Sequence, residues 1–84
     1  MSDVARDPRQ LGNLIRRRRK EKALSQRQLG EKVGLRQATI SLIETGNSAV
    51  RIGTLLAVLA ALDLEFLVAP RSRDWNKNLE SYFS

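Results

Sequence analysis

The stretch LSQRQLGEKVGLRQATISLIETG, residues 24–46, constrains the fold most, because it predicts two short helices separated by only a few residues. Ser25 is a favourable N-cap residue, and Gln28 follows it at the spacing of a capping box. Gly34 can adopt a positive φ angle, which ends a helix at low cost. The predicted helices cover residues 26–33 and 36–45.

The apolar residues of this stretch fall on one side of both predicted helices: Leu29, Val33, Leu35, Ile40 and Ile43. Gly30 is small enough to let the two helices cross closely, and Gly34 lies in the turn between them. Two helices that bury one side against each other across such a turn form a helix-turn-helix unit.

With Ile40 and Ile43 facing inward, the opposite side of the second helix carries four residues near its start: Arg36, Gln37, Ala38 and Ser41. A helix of this kind can place such side chains in the major groove of DNA. Gln can form two hydrogen bonds with adenine, Arg can do so with guanine, and Ala38 can touch a thymine methyl group. The four residues are therefore predicted to contact bases. The alternative is an ordinary solvated helix face.

Five further residues are predicted to contact the phosphate backbone: Gln26, Arg27, Thr39, Thr45 and Asn47. Gln26 lies in the first turn of its helix, where exposed N–H groups and the helix dipole favour a phosphate. Contacts of this kind position a protein on DNA without selecting a sequence. For the other four residues, simple solvation or local capping is the alternative.

The charge of the chain is consistent with binding to DNA. The formal net charge is +6 and the pI is about 10.8, and the run RRRRKEK at residues 16–22 lies on a first helix predicted over residues 9–22. Clustered basic residues are typical of proteins bound to nucleic acid, although a membrane surface or an acidic protein would also fit. Arg18 lies in line with the apolar residues of this helix. Its stem is predicted to lie along the edge of the core while its guanidinium group reaches solvent.

Composition excludes several classes of function. The 84 residues contain no Cys and no His, which removes thiol nucleophiles, imidazole acid–base catalysis and the usual zinc ligands. An enzyme is therefore not expected, and no metal or cofactor is predicted. The opening residues MSDVARDPRQ lack the apolar core of a signal peptide, and no apolar run is long enough to span a membrane. A cytoplasmic or nucleoid-associated location is expected.

The segment after residue 50 predicts a homodimer. IGTLLAVLAAL, residues 52–62, is a helix that is apolar nearly all round, and a chain of this size has little with which to cover it. LEFLVA, residues 64–69, is rich in strand-forming residues. Its predicted partner is the same strand of a second copy, with an interface formed by Leu64, Phe66, Leu67 and Val68. The alternative is that residues 64–69 continue the preceding helix.

The chain is expected to divide into three parts: a flexible N-terminus (1–8), a DNA-binding and dimerisation domain (9–69), and a polar tail (70–84). The tail contains three of the four aromatic residues, Trp75, Tyr82 and Phe83. These three are predicted to bind a partner. A frayed terminus, or one that folds back on its own dimer, is the alternative.

The spaced residues of LSQRQLGEKVGLRQATISLIETG resemble the helix-turn-helix of the Xre/Cro family. From Leu11 to about Ala69 the chain is similar to HipB-type antitoxins, with RQATIS at the position of the recognition helix and LEFLV at that of the dimer strand. The resemblance implies a mainly α, lambda-repressor-like domain of four or five helices with a strand that pairs across a homodimer. It also implies a structural ion pair, at Arg19 and Glu44. A surface pair of little energetic value is the alternative.

The resemblance further implies a repressor of a palindromic operator that also holds a HipA-like kinase toxin. A stand-alone phage-type repressor and a protein-interaction module without DNA binding are the alternatives. Three positions depart from the family pattern. Arg18 replaces an apolar residue, Ala23 replaces a frequent glycine, and Arg36 replaces a frequent serine cap. The loss of that cap suggests that Arg36 serves contact with DNA.

Overall fold

The computed structural model describes residues 4–47 and 49–71, and this part of the chain is mainly α-helical. Its four helices are α1 (Pro8–Glu21), α2 (Gln26–Val33), α3 (Gln37–Glu44) and α4 (Ile52–Ala61). The predicted partner-binding residues Trp75, Tyr82 and Phe83 lie outside the described residues. Among the described residues, no helix combines the length and the apolar character needed to cross a membrane.

The boundaries of α2 are those predicted, because both ends are specified by neighbouring residues. The Ser25 hydroxyl accepts a hydrogen bond from the backbone N–H of Gln28 at 3.0 Å, and the Gln28 side chain accepts one from the backbone N–H of Ser25 at 2.8 Å. Gly34 ends the helix with φ at +71°. A residue with a Cβ would be strained in this left-handed conformation.

The first helix begins one residue earlier than predicted, inside the segment expected to be a flexible N-terminus. Asp7 caps it by accepting a hydrogen bond from the backbone N–H of Gln10 at 2.7 Å, and Pro8 occupies the first turn, where its missing N–H costs nothing. The helix ends at Glu21, before Ala23, whose φ is +56°. Ala23 therefore adopts the left-handed conformation that the frequent family glycine would adopt more easily.

The core lies where the four helices meet. Its buried apolar residues are Ile15, Leu29, Ile40, Ile43, Val58, Leu59 and Leu62. Two glycines allow this packing, since an added Cβ would lie 2.5 Å from the Glu44 carbonyl oxygen at Gly12 and 2.5 Å from the Leu35 carbonyl oxygen at Gly30. Gly30 therefore lies at the close helix approach predicted for it.

Helix α4 ends at Ala61, and Asp63 follows with φ at +56°, so residues 64–69 do not continue the helix. That alternative interpretation is wrong. Residues 64–71 form neither helix nor strand in the single chain described here. A strand needs a hydrogen-bonding partner, and none of the other described residues supplies one.

Much of the apolar surface near α4 faces outward. Ile52 is 71% exposed, and Leu56 and Phe66 are each exposed by more than two fifths. Val68 is 88% exposed. The prediction that α4 is apolar on more sides than one chain can cover agrees with this exposure.

Candidate DNA interface

Helix α3 turns one side into the core and the other toward solvent. Ile40 and Ile43 are 0% and 4% exposed, so both point inward as predicted. Of the four residues predicted to contact bases, Arg36, Gln37 and Ala38 are exposed, and Ser41 is half-buried. Arg36 occupies the N-cap position but makes no side-chain capping bond.

A buried ion pair fixes the end of α3 to α1. The Arg19 Nε and Nη2 atoms donate hydrogen bonds to the two carboxylate oxygens of Glu44 at 2.6 and 3.1 Å. Arg19 Nη1 donates a third bond to the carbonyl oxygen of Leu24 at 2.8 Å. Arg19 and Glu44 are only 7% and 5% exposed, so the pair is not the surface pair considered as the alternative. Two parallel hydrogen bonds between a guanidinium and a carboxylate fix the relative orientation of the two side chains as well as the distance between them.

Gln26 connects this ion pair to the outer side of α3. Its Nε2 atom donates a hydrogen bond to Glu44 Oε1 at 3.2 Å, and its Oε1 atom accepts one from Gln37 Nε2 at 3.5 Å. Gln26 was predicted only as a phosphate contact. In the single chain it links the buried carboxylate to the exposed Gln37. No signal in the sequence indicates this link, because Gln26 and Glu44 are brought together by the crossing of α2 and α3.

The side chains of the other predicted phosphate contacts are bonded to neighbouring residues or partly buried. Arg27 pairs with Glu31 on the exposed side of α2 at 3.2 Å, and Thr39 is half-buried. The Thr45 hydroxyl donates to the carbonyl oxygens of Ser41 and Leu42 at 3.1 Å each. The side-chain oxygen of Asn47 accepts a hydrogen bond from the backbone N–H of Ala49 at 2.9 Å. For Thr45 and Asn47, the local capping considered as an alternative is therefore present.

The basic side of α1 adjoins the end of α3. An open groove of about 320 Å³ is lined by Arg9, Asn13, Arg16, Glu44 and Thr45. Arg16 and Lys20 are exposed. Positive charge from the first helix is thus present beside the C-terminal end of α3, where it can attract an anionic polymer.

Arg18 differs in part from its predicted placement. Its Nε atom donates to the carbonyl oxygen of Leu62 at 3.0 Å, and its Nη1 atom pairs with Glu21. The side chain is half-buried, and its head group binds the end of α4 where it was predicted to reach solvent. Lys22 forms a second connection of α1 to this end through an ion pair with Asp63. The hydrogen bond and the charge of Lys22 lower the pKa of the Asp63 carboxyl.

The sequence predicts no role for Leu42, although it is 50% exposed on the outer side of α3. Its position on the outer side can be inferred from the sequence, since Leu42 follows Ala38 by one helical turn.

Within residues 4–47 and 49–71, no three His, Cys, Asp or Glu side chains lie close enough to hold a metal ion.

Comparison with known proteins places this arrangement in a family. The helix-turn-helix family model matches residues 15–68. A curated relative, the uncharacterized HTH-type transcriptional regulator y4dL of Sinorhizobium fredii, is 42% identical over 57 residues. That match covers 68% of this chain but only 29% of the relative. The chain thus spans less than a third of the length of this relative.

Solved structures resemble the chain over most of its length. HipB in the HipA-HipB-O2-O3 complex has a TM-score of 0.77 and 27% identity, and the match covers 84% of this chain and all of HipB. HipB in a complex with an O4 20mer gives the same values. The restriction-modification controller protein C.AhdI of Aeromonas hydrophila has a TM-score of 0.65 and 32% identity, over 70% of this chain and 86% of C.AhdI.

The family match covers more than half of the chain and includes both helices of the motif and the residues that support them. The chain therefore belongs to the Xre-like helix-turn-helix family, whose members are DNA-binding transcription regulators rather than enzymes.

Proposed function

We propose that the protein is a repressor that binds a specific double-stranded DNA sequence as a homodimer, with α3 of each subunit in a major groove. The observation that carries this proposal is the orientation of α3. Ile40, Ile43 and Glu44 hold it against the body of the protein, and Arg36, Gln37 and Ala38 project from its N-terminal end. Side chains at this end of a recognition helix reach the edges of the bases.

The hydrogen bonds of Gln37 suit it to the recognition of adenine. Adenine offers an N7 acceptor and an N6 amino donor in the major groove, and Gln binds both with its amide nitrogen and oxygen. In the single chain, one Nε2 hydrogen of Gln37 is directed to Gln26. The second hydrogen and the Oε1 atom are the two groups that adenine requires. Gln26 therefore supports the amide of Gln37 in a usable orientation.

Homodimerisation is proposed to use the exposed apolar residues after α4. Phe66, Leu67 and Val68 are all exposed in the segment that follows α4, and Ile52 and Leu56 of α4 are exposed as well. Pairing of residues 64–69 with the same segment of a second copy would satisfy the backbone groups of both. A two-fold dimer would present two recognition helices to half-sites about 34 Å apart.

We further propose that the repressor is the antitoxin of a HipA-like kinase. The support is the match to HipB, whose whole length is covered and which was solved together with HipA and with O2 and O3. The C-terminal tail, residues 70–84, is the candidate contact segment. A stand-alone regulator is the second candidate, because the controller protein C.AhdI has the higher identity, 32%. Co-purification of the intact chain with the kinase-like product of an adjacent gene would favour the antitoxin role.

DNA binding is tested by replacing Gln37 and Arg27 separately with alanine. The Gln37→Ala change is expected to cost about 1–3 kcal/mol on the cognate duplex and little on random duplex. The Arg27→Ala change should weaken both duplexes alike, and affinity should fall steeply with salt. A titration by fluorescence anisotropy measures all of these quantities.

Gln10→Ala, at an exposed glutamine of α1, is the matched control. Equal losses on both duplexes for Gln37→Ala, or binding independent of salt, would contradict the proposal.

A further inference from the structure

The outermost side of α3 carries two apolar residues. The buried residues Ile40, Ile43 and Glu44 define its inner side. Successive residues turn by about 100° around an α-helix, so the positions most nearly opposite this inner side are Ala38 and Leu42. Leu42 is 50% exposed, and Ala38 is exposed as well. Polar residues flank this pair on one side, namely Gln37 and Ser41.

The major groove offers one apolar group to a side chain placed in this way. Thymine carries a C5-methyl group there, whereas the other features of the base edges are hydrogen-bond donors and acceptors. Ala38 and Leu42 are separated by about 6 Å along the helix, which corresponds to about two base-pair steps of DNA. The two side chains can therefore meet different bases of one half-site. Leu42 makes no use of the donors and acceptors, since its side chain has neither.

We propose that Leu42 determines specificity by packing against the C5-methyl group of a thymine in the major groove. This inference rests on the proposed binding of DNA by α3, and it names the chemical group that one position of the operator must carry. 5-Methylcytosine presents the same methyl group and satisfies the same contact. Burial of one methyl group corresponds to a roughly fourfold change in affinity.

The test uses the full-length chain and the duplex that it selects from a random library. Each thymine of the selected half-site is replaced in turn by uracil, which removes only the methyl group. The wild-type chain is expected to lose affinity roughly fourfold at the contacted position. In Leu42→Ala the ratio of thymine to uracil affinity at that position should fall to about one, while the ratios at other positions stay unchanged. Val4→Ala, at an exposed valine outside α3, is the control and should leave every ratio unchanged.

Three results would overturn the inference while leaving DNA binding by α3 intact. The first is a Leu42→Ala variant that binds the selected duplex as well as wild type. The second is a weakened variant whose thymine-to-uracil ratios match those of wild type at every position. The third is a change in oligomeric state, measured by sedimentation, which would place Leu42 in a contact between chains. Absence of salt-dependent duplex binding by the wild-type chain would instead overturn the proposed function and this inference together.

Discussion

The segment from Leu24 to Gly46 and the segment from Ile52 to Ala69 differ in how much of their structure one chain can complete. The first contains its own capping box, turn glycine and inward-facing isoleucines, and α2 and α3 pack against each other. The second leaves Ile52 and Val68 largely exposed and has no strand among residues 64–71. The helix-turn-helix segment is thus complete in one chain, whereas the second segment leaves apolar side chains exposed.

The largest effect is expected from the buried ion pair, which holds the completed segment to α1. Glu44→Ala leaves the Arg19 guanidinium buried without its carboxylate, and the free energy of unfolding should fall by about 3–5 kcal/mol. The matched control is Glu31→Ala, because Glu31 pairs with Arg27 on the surface and should contribute at most about 1 kcal/mol. Urea unfolding at one fixed protein concentration measures both. Similar losses for the two variants would show that the burial of the Arg19–Glu44 pair has no energetic consequence.

The close approach of the backbone at Gly30 provides the next prediction. Gly30→Ala places a Cβ 2.5 Å from the Leu35 carbonyl oxygen, so the backbone of the turn must shift. The expected loss of stability is about 1–3 kcal/mol. Gly53→Ala is the matched control, since nothing lies within 4 Å of the added Cβ in α4. This control should gain about 0.5–1 kcal/mol, because alanine is the better helix former. Thermal unfolding followed by circular dichroism distinguishes a loss from a gain.

Features of the first segment that depend on neighbouring residues could be predicted from the sequence. The ends of α2 followed from Ser25 and Gln28 at its start and Gly34 at its end, because each of these residues acts on the helix end next to it. The inward positions of Ile40 and Ile43 followed from helical periodicity and are confirmed.

Contacts between distant positions were harder to predict. The Arg19–Glu44 pair came only from the family resemblance, and the link from Gln26 to Glu44 was missed, because both depend on how the helices cross. Whether residues 64–69 form a strand depends on a hydrogen-bonding partner, which periodicity within the segment cannot supply. The sequence predicts no role for Leu42, because a leucine side chain has no charge and no hydrogen-bonding group, although its helical position opposite the core could be read from the sequence.

A variant in the C-terminal segment tests whether its exposed surface is covered by a second copy. Phe66→Ala should weaken dimerisation by about 1.5–3 kcal/mol if the side chain is buried there. Sedimentation equilibrium measures the dissociation constant directly. Val4→Ala, at another exposed apolar residue, should leave it unchanged. A wild-type chain that remains monomeric at all concentrations would contradict the proposed dimer.

The smallest effect concerns the connection between α1 and the second segment, where Lys22, the C-cap residue of α1, pairs with Asp63 after α4. The hydrogen bond and the charge of Lys22 lower the pKa of Asp63 below its usual value of 3.8. A depressed carboxyl pKa stabilises the folded state above the unfolded pKa, and this contribution is lost as the pH falls through the folded pKa. Asp63→Asn removes the charge but tolerates the positive φ of 56° at this position. The stability difference between wild type and Asp63→Asn, measured by urea unfolding, should therefore be largest near neutral pH and shrink below pH 3.8. A difference that stays constant through this range would show that the Lys22–Asp63 ion pair does not contribute to the stability of the folded chain.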